Sequence, residues 1–314
     1  MRFAVWLVAM LLVVEGAVRS VGFILGRDGA AHALPHADGG IIYCVGDSFT
    51  YGQGVRREEA WPRLLAKRLR DALGTRSPEV RVLAQPGRSS SGVLVEVDKV
   101  LKRGDARLVL VMTGWNANDA DFAQYATDRG QAVPVRVSID LFLEHSRLYR
   151  VAKHALTYRE LTLVLNDVKI VPLTHSMSLY SFRTYQEIGE KNLAHIARLC
   201  RAAAVKCVFL TYPHRLLPPN PYSQSEYYHT VFGRTVLTEE EYILHNRRPG
   251  EIAIDAVIRD VASRENVPLI DLQPGFEGLR PEKVFQEDLH HPTASGHELI
   301  AETVFEALQR VTTD

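Results

Sequence analysis

The chain has few cysteines and no surplus of charge of either sign. Cys44, Cys200 and Cys207 are its only cysteines in 314 residues. An odd, small set without a Cys-x-x-Cys pair excludes a disulfide framework and a zinc knuckle. Lys plus Arg number 37 and Asp plus Glu number 37, so the formal charge is zero. A general polyanion binder needs excess basic charge to release counterions, so nucleic acid is not an expected partner. There is no His-Glu-x-x-His, and no glycine-rich phosphate loop stands between a strand and a helix. Internal repeats and low-complexity tracts are absent. At 46% hydrophobic and 24% charged, the composition is that of a soluble fold with a sizeable core, in one large domain or two small ones.

The N-terminus differs in character. Phe3 to Val14 is an unbroken apolar run of twelve residues behind Arg2, short of the roughly 20 that a straight spanning helix needs. Apolar character resumes after Glu15 and continues to Leu25, broken by Arg19. Glu15 and Arg19 stand i,i+4, so a helix can pair them. Residues 1–27 are therefore expected to be a signal anchor, or else a cleaved signal peptide with a small-residue site near Ala31-His32-Ala33. A buried N-terminal helix of a cytoplasmic protein is the plainer alternative. Residues 28–40 read as a linker. An anchor places the rest on the extracytoplasmic (periplasmic) face; cleavage makes the protein secreted.

Beyond residue 40, strands alternate with helices. Strands are predicted at Ile41–Val45, Val80–Ala84, Leu108–Met112, Cys207–Leu210 and Val267–Leu272. Helices are predicted at Trp61–Leu73, Val93–Leu101, Phe182–Ala204, Ile252–Ala262 and Leu299–Leu308. Trp61, Leu65, Leu69 and Leu73 form the stripe of the first helix, with Pro62 in its first turn and Gly74 at its stop. The pattern predicts a three-layer α/β/α sandwich around a mainly parallel five-stranded sheet. Two insertions interrupt it, near residues 119–180 (with a helix near 138–158) and 212–250, the second rich in Pro and Tyr. Long insertions of this kind serve as lids or binding loops, or as irregular surface.

Parallel sheets bind ligands at the carboxyl ends of their strands, so the residues that follow each strand matter most. Gly46-Asp47-Ser48 follows the first, exposing a hydroxyl and a backbone N–H at a strand-to-helix turn. Gln85-Pro86-Gly87 follows the second, where Gly87 admits a close backbone approach. Gly114-Trp115-Asn116 follows the third, and an Asn amide can donate to a developing oxyanion. Each is individually explained by a turn or a helix cap. Near the C-terminus, Asp288 stands three residues before His291, a spacing that lets a carboxylate fold back onto an imidazole.

These fragments, in this order, resemble the SGNH (GDSL-type) hydrolase family. Gly46-Asp47-Ser48 resembles its first block, Gly87 its second, Gly114-Trp115-Asn116 its third and Asp288-x-x-His291 its fifth. The resemblance covers about residues 41–310, although the insertions match little. One departure is Ala117, which stands where the third block commonly carries Asp. Asn118 is thus an alternative donor to Asn116. The resemblance implies a serine hydrolase of carboxylic esters, with Ser48 as nucleophile, His291 as general base and Asp288 orienting it. It implies an oxyanion hole of the Ser48 and Gly87 backbone N–H groups and the Asn116 amide, with no metal or organic cofactor. Expected substrates are small-molecule, glycan or lipid esters, cleaved by an esterase, lipase or carbohydrate deacetylase. The alternatives are an O-acyltransferase on cell-envelope polysaccharide and a catalytically silent binding protein.

Overall fold

The computed structural model describes residues 10, 13–17, 40–133, 135–149, 152, 182–213, 249–286 and 291–311. The expected linker up to residue 39 and the second insertion over 214–248 lie outside the described residues. The chain forms two compact units. One comprises residues 1–35 and 123–172, the other 36–122 and 173–314.

In chain order the elements are β1 (Ile41–Gly46), α1 (Ser48–Tyr51), α2 (Trp61–Leu73), β2 (Glu79–Ala84), α3 (Ser90–Arg103), β3 (Ala106–Met112), α4 (Asp119–Asp128), α5 (Val135–Leu143), α6 (Phe182–Ala202), β4 (Lys206–Leu210), α7 (Pro249–Arg264), β5 (Leu269–Ile270), α8 (Gln273–Phe276), α9 (Pro281–Val284) and α10 (Ala294–Val311). The second unit is built on a five-stranded sheet ordered β2-β1-β3-β4-β5, every pair parallel. The strand order reverses at β1. Right-handed crossovers on either side of a reversal put helices on opposite faces. Accordingly α2 packs with α10, while α6 packs with both α3 and α7. The run of Ile and Val in β1 and β3 suits strands covered on both faces. All six residues of β1 and the last five of β3 are buried.

Local chemistry sets the element ends. In α2, Trp61, Leu65 and Leu69 are buried but Leu73 is 42% exposed, so the apolar stripe ends one turn earlier than the sequence suggested. α3 starts at Ser90, ahead of the predicted Val93, because the Ser89 hydroxyl caps it by accepting from Gly92 N–H. β5 is only two residues long. Pro268 supplies no N–H to a ladder, and its carbonyl accepts from Phe209 N–H instead. α10 begins at Ala294 because Thr293 caps it, its hydroxyl accepting from Gly296 N–H. Cys44, Cys200 and Cys207 are all buried and free.

In the other unit, the helix predicted near 138–158 is divided. α5 ends at Leu143 and a new helical turn opens at Arg147. Ser146 makes the break, since its hydroxyl accepts from Tyr149 N–H. Residues 13–17 are helical. The Glu15 carboxylate accepts from the Ser146 hydroxyl (2.9 Å) and from the Arg147 and Leu148 N–H groups (both 2.8 Å). Among the described residues no helix is long and apolar enough to cross a membrane.

His297 on α10 is fully buried. Its Nδ1 accepts from Trp61 N–H, and among the described residues Nε2 has no partner. Burial, reinforced by His291, pulls its pKa down to about 4. The folded protein therefore keeps this imidazole neutral where the unfolded chain protonates it, below about pH 6.5. The unfolded state then binds more protons, so the contribution to stability rises with pH between about 4 and 6.5 and is constant above. Urea unfolding of wild type and His297→Asn tests this. The difference between them should grow by about 2–3 kcal/mol over that window; a difference independent of pH would contradict it.

Candidate active site

The first candidate residue follows β1 directly. Gly46 is required there by close approach, as a Cβ would lie 2.3 Å from Thr50 Oγ1 and 2.6 Å from the Met112 carbonyl. Asp47 then caps α1, its Oδ1 accepting from Phe49 N–H at 3.1 Å. Ser48 occupies the first position of α1 and is 5% exposed. Gly52 closes this short helix in the left-handed region, with φ of 83°.

His291 arrives from the far end of the chain and is also buried. Its Nε2 lies 2.9 Å from Ser48 Oγ. With Nε2 unprotonated, the serine hydroxyl donates to it, which is the ground-state geometry of a nucleophile and its base. The Phe49 ring packs beside the imidazole, centroids 5.3 Å apart, and meets Tyr212 edge-on at 4.9 Å. The chain from β5 to His291 passes through α9 and a short antiparallel bridge between Phe285 and Pro292. Asp288 lies outside the described residues.

Asn116 follows β3. Its Nδ2 donates to Asp47 Oδ2 at 3.1 Å, which uses one of its two hydrogens. Its carbonyl accepts from Ser90 N–H, tying the loop to the start of α3. Asn118 is engaged otherwise. Its Oδ1 accepts from Asp121 N–H while Asp121 accepts from Asn118 N–H, a reciprocal cap on α4. Its amide donates to Ser89 Oγ. Gly87 sits in the turn after β2 with φ of 69°, open space lying where a Cβ would go.

Asp47 is the electrostatic centre of this cluster and has no exposed surface. Besides Phe49 N–H, it accepts from the Tyr212 hydroxyl at 2.6 Å and from Asn116. Burial pushes its carboxyl up to about 6, against the opposing pull of these donors and of His291. Burial beside Asp47 likewise pushes the Tyr212 phenol well up, so Tyr212 remains a donor. On sequence alone Tyr212 is no more than the first residue of the second insertion. It stands two residues beyond β4, so the carboxyl-end rule that singled out Ser48 and Asn116 was also the signal for Tyr212. Gln286, which precedes His291, carried no motif at all. Among the described residues no group of three or more His, Cys, Asp or Glu side chains could hold a metal ion.

A family profile described as GDSL-like Lipase/Acylhydrolase matches residues 44–299, a span that holds Ser48, Gly87, Asn116 and His291. The chain belongs to this family. The GDSL family profile thus covers most of the sequence, both insertions included. A comparison with curated proteins gave no match. Solved structures that resemble the GDSL chain include TesA, 19% identical over 86% of this chain and 98% of that one, TM-score 0.46. The psychrotrophic esterase EstA from Pseudoalteromonas sp. is 15% identical over 88% and 100%, TM-score 0.49. A mutant of the acetyl-xylooligosaccharide esterase Axe2 from Geobacillus is 14% identical over 87% and 95%, TM-score 0.47.

The adjacent histidines give a direct test of register. Replacing His291 by Ala should lower ester hydrolysis by at least about 1,000-fold, while His290→Ala should change it by no more than a few-fold. Initial rates on purified, folded variants measure both. Equal losses would mean that His291 is not the base.

Proposed function

We propose that this GDSL-family protein is a serine esterase that works through an acyl-enzyme on Ser48. The observation that carries the reading is the 2.9 Å separation of Ser48 Oγ and His291 Nε2. Ser48 Oγ attacks the ester carbonyl carbon as its proton passes to His291 Nε2. The oxyanion that forms accepts from the Ser48 and Gly87 backbone N–H groups and from the Asn116 Nδ2 hydrogen not used by Asp47. Such donors are worth about 3–4 kcal/mol each in the transition state. His291 then gives its proton to the departing alcohol, leaving the acyl group on Ser48. Water repeats the sequence and frees the acid. Asp288 orients His291 and stabilises its charged form, as its place in the family motif implies. The chemistry calls for neither a metal nor an organic cofactor.

The substrate class is a glycan, lipid or small-molecule ester. If a sugar hydroxyl replaces water in the second half, the same acyl-enzyme makes an O-acyltransferase on envelope polysaccharide. A fluorophosphonate probe should label Ser48 in wild type and not in Ser48→Ala. A panel of acyl chain lengths and acetylated glycans, run with a labelled acyl donor, then distinguishes release of free acid from transfer to sugar. Absence of labelling at Ser48 in folded protein would favour a silent binding protein and defeat the enzymatic reading.

Membrane attachment through the N-terminal segment belongs to the same proposal. Its support is the apolar run Phe3–Val14 and the position of Glu15 just beyond it. Glu15 accepts from three donors at the turn beginning with Ser146, which ties the segment after the apolar run to its own folded unit and favours its retention. A cleaved leader would leave those donors without the acceptor. Intact-mass measurement of protein recovered from membranes should show the N-terminal segment retained, on an extracytoplasmic domain. A mature chain starting near residue 34 would mean secretion instead.

A further inference from the structure

We infer that Gln286 is a positioning residue that sets the distance between the Ser48 segment and the His291 loop; this rests on the reading of Ser48 and His291 as nucleophile and base. The Gln286 amide nitrogen donates both hydrogens to main-chain carbonyls. One goes to Gln53 at 2.6 Å and the other to Pro292 at 2.8 Å. Gln53 belongs to the nucleophile segment, since its N–H donates to the Ser48 carbonyl at 3.0 Å. Pro292 is the residue after the base. The Gln286 backbone N–H also donates to the His291 carbonyl at 2.8 Å. A closed ring results, from Ser48 through Gln53 and Gln286 to His291, completed by the 2.9 Å contact between the two reacting side chains.

The ring is tight on its other sides. Gly54, with φ of 83°, lies so close that a Cβ there would fall 1.9 Å from Gln286 Oε1. Thr293 N–H donates to the Val284 carbonyl, closing the far end of the bridge that carries His291. A Cβ at Gly296 would lie 2.3 Å from that same carbonyl, so α10 buttresses the bridge directly. Few side chains could replace this amide. Glu offers no donor and turns negative oxygens toward two carbonyls. Met matches the length without any hydrogen bond. Asn stops one carbon short of spanning Gln53 and Pro292. A purely structural role would cost stability alone, whereas a positioning role costs the chemical step. Misplacement of reacting atoms by about 1 Å can cost about 100-fold in rate.

The test compares Gln286→Met, Gln286→Asn and Ser48→Ala with wild type on 4-nitrophenyl acetate. Three quantities are read: kcat and KM, the rate of phosphonylation of Ser48 by a fluorophosphonate, and thermal midpoint with near-UV circular dichroism. Folded Gln286→Met should show kcat and phosphonylation rate lowered about 10- to 100-fold, with KM within about threefold. Gln286→Asn should show the same split to a smaller degree, and it decides the matter if the Met variant does not fold. A folded variant with a lowered thermal midpoint but with kcat and phosphonylation rate within twofold of wild type overturns the proposal. Activity or labelling that survives in Ser48→Ala overturns the nucleophile reading instead, so the two failures are distinct.

Discussion

A carboxylate with no contact with water must be met by donors, and Asp47 is met from three directions. One donor is the second residue of its own helix, one is an amide after β3 and one is a phenol after β4. Each donor stands at the carboxyl end of a different strand, so satisfying one buried charge draws three strand ends into a fixed relation. Breaking such a set by removing one member leaves a buried charge poorly compensated, which is costly. His291, beside which the Phe49 ring packs, also favours the charged form of Asp47. The residue that organises the cluster is therefore not one of those to which the proposal assigns the chemistry.

The Ser48–His291 pair is held by a second set of contacts, in which the Gln286 side-chain amide and backbone N–H bond main-chain carbonyls. Ser48 and His291 are 243 positions apart, and nothing local in either segment specifies their approach. The sheet supplies the gross placement, as β1 ends at Gly46 and α10 packs on α2 just behind. Fine placement comes from amides and carbonyls at Gln53, Gln286 and Pro292. Glycines at 46, 54 and 296 allow the backbones to come that close.

Much of this was legible in the sequence. Apolar runs such as Ile41–Val45 and Leu108–Met112 identified buried strands, and Pro62 with Gly74 bounded α2 at both ends. Ser48, Gly87, Asn116 and His291 were singled out by position after strands together with the resemblance to the family's blocks; of these the structure joins Ser48 to His291 and Asn116 to Asp47. Boundaries governed by side-chain capping were read less well. The serines at 89–91 read as a cap for the next helix, yet α3 starts at Ser90, three residues before the predicted Val93, and α10 starts at Ala294, five residues before the predicted Leu299. The break at Ser146 was hidden because the residues on both sides have helical character. Asn118 stayed an alternative donor in the sequence because an amide at a strand end looks the same whether it caps a helix or faces a ligand. Only its reciprocal bonds with Asp121 show which. Gln286 had no signature, since a glutamine that staples two carbonyls depends on contacts distant in the chain.

The three thiols lie on β1, at the end of α6 and on β4, all inside the core. Burial pushes Cys44 far above the range in which a thiolate forms near neutral pH. Contact with Cys200 and burial raise Cys207 too, while that same contact lowers Cys200. What the three thiols share is burial, which keeps maleimides and similar electrophiles from reaching them in the folded protein. A single cysteine introduced on the surface can carry a fluorophore or spin label without prior removal of the native ones, which makes distance measurements within each unit accessible on the unaltered core.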